Sequence, residues 1–100
     1  MIKHIVMFRL KESALGYTKQ ENVKKLKAVL ESLREKIVEI KRLEVGINFA
    51  ESETSSDVLL YSEFANKEAL DAYQKHPEHL KVVDFVKQVC AERRVADYIA

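Results

Sequence analysis

From Ile2 to Lys11 the chain alternates: Ile2, His4, Val6, Phe8 and Leu10 fall on one side, Lys3, Ile5, Met7, Arg9 and Lys11 on the other. Successive strand side chains point to opposite faces, so the pattern predicts a strand with one apolar face and a second face only partly polar. Further on, Thr18-Lys19-Gln20-Glu21 has the spacing of a capping box, in which a hydroxyl and a carboxylate satisfy each other's backbone N–H groups at a helix start. Val23, Leu26, Leu30, Leu33, Ile37 and Ile40 follow at intervals of three and four. That period predicts a long amphipathic helix, from about residue 19 to about residue 38.

Leu43, Val45, Ile47 and Phe49 then alternate with Glu44, Gly46 and Asn48, giving a second strand. The polar run from Glu51 to Asp57 predicts a loop. Val58 to Ala65 predicts a third strand, with Val58, Leu60 and Phe64 on one face and Leu59 and Tyr61 on the other. Asn66 can cap a helix carrying Leu70 and Tyr73. The helical pattern breaks at His76-Pro77, and proline suits the first turn of a new helix, where its missing N–H leaves nothing unsatisfied. His79, Val82, Val83, Val86, Val89 and Cys90 form the apolar stripe expected of that helix, and Arg94 to Ile99 a last strand.

The predicted order is β-α-β-β-α-β, with the second helix in two pieces. This is the α+β, ferredoxin-like order: an antiparallel four-stranded sheet with helices on one face. Helices can cover only one side, yet Ile5, Met7, Leu59 and Tyr61 make the other side apolar as well. A bare apolar sheet of several hundred Å² is unusual on a monomer, so the pattern predicts a homodimer packed sheet against sheet about a two-fold axis.

Composition narrows the function. One hundred residues suit a single domain over residues 1–100. Seventeen basic and sixteen acidic residues leave a net charge of +1, which offers no broad attraction to nucleic acid or anionic lipid. Lys24-Lys25 and Arg93-Arg94 are short pairs with acidic neighbours and read as solvated. No apolar run is long enough to span a bilayer, and the N-terminal residues lack the order of a signal peptide. Cys90 is the only cysteine, so no internal disulfide can form, which fits a cytoplasmic setting. In an apolar stripe it reads as a small hydrophobe rather than a nucleophile. The serines lack a nucleophile-elbow context, and two glycines cannot make a phosphate loop. His76 and His79 lie three apart with no third ligand by spacing, so neither a metal site nor a cofactor is expected.

Lys3 to Leu10, the segment Tyr73-Gln74-Lys75-His76-Pro77-Glu78-His79, Gly46 and the closing Asp97-Tyr98 together resemble the stress-responsive A/B barrel, or Dabb, family. The resemblance runs through nearly the whole chain and implies a dimeric α+β barrel. Within the family, plant polyketide cyclases of the olivetolic acid cyclase type carry a tyrosine, a His-Pro-x-His segment and a first-strand histidine. Tyr73, His79 and His4 stand at matching positions, and the resemblance implies that they are catalytic candidates. It does not carry the substrate: the cyclase pocket has aromatic walls from its first helix and a tryptophan on its last, whereas this chain offers Val23, Leu26 and Leu30 and has no tryptophan. The resemblance also implies, for some plant relatives, a magnesium ion held by backbone carbonyls after the first helix, near Arg34, Ile37 and Ile40 here.

His79 heads a stripe with Val83 and Val86, and His4 shares its strand face with Val6 and Phe8, so both imidazoles should point inward. Val6, Phe8, Val83 and Val86 are then the candidate ligand-binding walls. An imidazole exchanges protons near neutral pH, and a phenol can donate to a carbonyl or enolate oxygen. Each residue also has a plain structural role open to it: His4 and Tyr73 as core side chains, His79 as a packing or capping residue, His76 as a helix cap. Three functions remain: a binding domain for a small apolar or carbonyl-containing ligand, an acid–base enzyme of the cyclase or tautomerase kind, and a structural stress-related dimer without a ligand. The first ranks highest, because the polar trio is present without the aromatic substrate walls. An open cavity joining the trio would favour the first two, a closed core the third.

Overall fold

The computed structural model describes residues 1–100. Strand β1 runs Ile2–Leu10, and helix α1 runs Lys19–Lys36 after two short strands, β2 (Ser13–Ala14) and β3 (Tyr17–Thr18). Strands β4 (Arg42–Ile47) and β5 (Val58–Phe64) follow, then helices α2 (Lys67–Lys75) and α3 (Pro77–Val89) and strand β6 (Cys90–Ile99). The main sheet has the order β4-β5-β1-β6 with antiparallel pairing throughout. This is the ferredoxin-like α+β fold expected from the sequence.

The local signals act where they were read. Thr18 Oγ1 accepts from the Glu21 N–H at 3.2 Å while the Glu21 carboxylate accepts from the Thr18 N–H at 3.0 Å, and α1 starts there. Asn66 caps α2 by accepting from the Ala69 N–H at 2.8 Å. His76 ends α2 and caps α3, its Nδ1 accepting from the Glu78 N–H at 3.1 Å, with Pro77 in the first turn. On β1 all five predicted core positions are buried, as are Leu26, Leu30, Leu33 and Ile37 after them. All but His4 belong to one core of 19 buried hydrophobic residues between the sheet and the helices.

Several boundaries differ from the sequence reading. Helix α1 stops at Lys36. Strand β4 ends at Ile47, leaving Phe49 almost fully exposed. Strand β5 ends at Phe64, one residue early. Cys90 begins β6 rather than extending α3; pairing of β6 with β1 continues to Leu10↔Cys90, so ladder bonds win over the helical stripe. The β2–β3 hairpin was not foreseen. Its turn, Leu15-Gly16, has both φ angles positive, at 56° and 80°, which suits a tight hairpin. Leucine in that region is disfavoured, so its sequence gives no turn signal. Buried Asn22 secures the hairpin, donating to the Ala14 carbonyl at 3.1 Å.

The outer face of the sheet has no cover within the chain. Met7 and Leu59 are exposed there, with Ile5 and Tyr61 half-exposed beside them.

Candidate functional site

The helix-facing side of β1 brings His4 under α2 and α3, where it is 2% exposed. In the antiparallel register His4 stands opposite Asp97 on β6, and its Nδ1 donates to the Asp97 carboxylate. The carboxylate fixes which imidazole nitrogen carries the proton and leaves Nε2 as the free one.

The break between α2 and α3 sets the other two members of the trio. Tyr73 lies in the last turns of α2 and His79 in the first turn of α3. The Pro77 turn folds them together, with ring centroids 4.4 Å apart. The Tyr73 ring is 6.0 Å from His4 and 4.8 Å from Phe64. His79 Nδ1 donates to the Gln74 carbonyl at 3.1 Å, again leaving Nε2 free. Desolvation lowers the His79 pKa below its ordinary value, with the positive charge of Arg93 and the other two imidazoles adding to it, so its neutral, proton-accepting form is favoured. Burial pushes the Tyr73 phenol up to about 12, keeping it a donor at any physiological pH. Its hydroxyl is buried and has no hydrogen-bond partner.

The three rings border one cavity of ≈ 120 Å³. Val6, Phe8, Val83 and Val86 line it, and Leu30, Leu60 and Val82 complete the apolar wall. Lys87 and Arg93 also line it. A larger groove of ≈ 640 Å³ lies elsewhere, between the start of α1 and residues 47–57. It is open and lined mainly by polar residues, and none of the trio lies there.

The chain matches the Stress responsive A/B Barrel Domain family, Dabb, over residues 2–100. It belongs to that family. Among solved structures, this Dabb domain is similar to a dimeric protein of unknown function with a ferredoxin-like fold from Bacteroides fragilis. They share 32% identity over 99% of this chain and 95% of that one, with a TM-score of 0.86. It is also similar to a dimeric ferredoxin-like protein of unknown function from Thermobifida fusca, at 21% identity, 99% and 90% coverage and a TM-score of 0.84. A hydroxynitrile lyase from Passiflora edulis aligns at 18% identity, 99% and 92% coverage and a TM-score of 0.84. At the last two identities the shared property is the fold. No curated protein matches the chain.

Three contributors to the site escaped the sequence reading of this Dabb domain. Asp97 was noted only as part of the family pattern; its pairing with His4 depends on the β1–β6 register, which alternation alone does not set. Lys87 was not singled out, and Arg93, read as solvated, is exposed but stands at the cavity. His76 serves as a cap, as its place before proline suggested.

A fixed positive charge disfavours a divalent cation in the stretch after α1. The Ile37 carbonyl already accepts from the Ile40 N–H at 3.3 Å, and the Arg34 guanidinium donates to the Leu43 carbonyl, placing a fixed positive charge in the turn. No three His, Cys, Asp or Glu side chains come together in a ligating arrangement. No helix is long and apolar enough to cross a membrane.

Proposed function

We propose that this Dabb domain, a single unit over residues 1–100, binds a small apolar ligand that carries a carbonyl or similar acceptor oxygen. The observation that carries this is the Tyr73 hydroxyl, buried without a partner on a side chain that borders the cavity. Leaving a buried polar group unpaired costs about 1–3 kcal/mol, and a ligand oxygen would remove that cost. Apolar walls with a few convergent polar groups are the usual make-up of a small-molecule site.

The same proposal includes a homodimer. The uncovered apolar face around Met7 and Leu59 is the surface a second copy would bury, and similar solved structures are described as dimeric. A cytoplasmic setting is supported by the solitary free Cys90.

A second function, acid–base catalysis on a carbonyl substrate, is favoured by one specific feature. Both His4 and His79 engage Nδ1, with a carboxylate and a carbonyl respectively, and so keep Nε2 for proton transfer. Tyr73 would then hold the developing oxyanion.

The test is NMR titration of the imidazole signals of His4 and His79 with acetophenone and cyclohexanone. Saturable shifts of both rings are expected. If neither compound moves either ring, the binding function is wrong and a structural dimer remains. Turnover of enolisable ketones that His79→Ala abolishes would establish the enzyme.

A further inference from the structure

The cavity wall contains no aspartate or glutamate, and its two permanently charged side chains are both cationic: Lys87 from the last turn of α3 and Arg93 from β6. Neither takes part in an ion pair, although nine such pairs occur elsewhere in the chain. Asp97, the carboxylate near the trio, is held by His4. Lys87 has a separate structural use, since a cation complements a helix C-terminus. Arg93 has none: it lies opposite Phe8 in the sheet and is exposed, and its charge is felt at Tyr73, His79 and Cys90. An arginine left without a carboxylate beside an apolar cavity matches a planar anionic group, because its fork of N–H groups donates to both oxygens of a carboxylate.

We propose that the ligand is a small organic acid: its apolar part sits among Val6, Phe8, Leu60 and Val86, one ligand oxygen accepts from the partnerless Tyr73 hydroxyl, and its carboxylate is held by Arg93 with help from Lys87. This rests on the cavity being a ligand site and names the class of ligand it takes. A cavity of this order holds one ring or a short chain; an apolar cavity of about 150 Å³ accommodates benzene. His4 and Tyr73 are buried whereas Lys87 and Arg93 are exposed, so the cations would meet the charged end of a ligand on its solvent side.

Two matched probe pairs test the proposal: benzoate against benzyl alcohol, and hexanoate against hexanol, each titrated into the full-length protein and followed at the His4 and His79 ring signals. A charge-assisted pair predicts that the acids bind about tenfold more tightly than the alcohols at low salt, with the advantage shrinking as salt is added. Arg93→Gln should shrink the acid-to-alcohol affinity ratio most of the way to one, and Arg93→Gln with Lys87→Gln should bring it to one. Equal affinity of acid and alcohol for wild type, or an acid preference that survives the double substitution, overturns the acid proposal while leaving the cavity as a neutral ligand site. If none of the four probes shifts either imidazole, the proposal falls together with the ligand-site function on which it rests.

Discussion

His4 Nδ1 meets the carboxylate of Asp97 across the β1–β6 pair, tying a buried imidazole to the edge strand that closes the site. His4 is 2% exposed, so losing its partner strands a buried polar group. Asp97→Ala should therefore lower stability by about 1–3 kcal/mol, measured by urea unfolding at neutral pH. An unchanged midpoint would show that the contact orients His4 without supporting the fold.

His79 gives the stability a pH dependence of definite sign. Desolvation lowers its folded-state pKa, so the native protein binds a proton less readily than the unfolded chain. The resulting contribution is fully present above the unfolded value, about pH 6.5, and is lost as pH falls through the lower folded value. Wild type should lose more stability than His79→Gln between about pH 7.5 and about pH 5. Parallel losses in urea unfolding at the two pH values would rule out a desolvated His79.

Much of the fold was legible because its elements carry period-2 and period-3.6 patterns with explicit caps. The capping box at Thr18 and Glu21, the Asn66 cap and the His76-Pro77 break each place a helix end within a residue or two. Legibility failed where the deciding contacts are distant in sequence. The end of α3 was misplaced because Cys90 fits an apolar helical stripe locally, while its ladder pairing with Leu10 lies at the far end of the chain. The candidate site was legible in part for the same reason. Tyr73 and His79 are joined by a local proline turn, whereas the approach of Asp97 and Arg93 depends on β1–β6 register.

The helical stripe itself can be weighed by contrast. Leu26 is fully buried against the sheet and Val38 is 87% exposed beyond the end of α1. Leu26→Ala should cost about 2–5 kcal/mol, and Val38→Ala no more than about 0.5 kcal/mol. Comparable effects in calorimetry would mean that α1 presents a different face to the core.

The sheet-to-sheet dimer predicts a specific sensitivity at Met7, 40% exposed on the uncovered face. A contact of standard size buries about 1,600 Å² in total, and Met7→Lys would place a charge inside it. Sedimentation velocity should show a dimer for wild type and a shift toward monomer for the variant. Wild type sedimenting as a monomer at tens of micromolar would refute the dimer.

If the Tyr73 hydroxyl is held unpaired for a ligand, Tyr73→Phe removes the group that matters and little else. Unfolding of the ligand-free protein and titration with acetophenone should be measured on the same preparations. Tyr73→Phe should be more stable than wild type by about 1 kcal/mol, since an unsatisfied buried group is gone, with binding weakened about tenfold. A variant that is less stable than wild type and binds equally well would contradict that role of the hydroxyl.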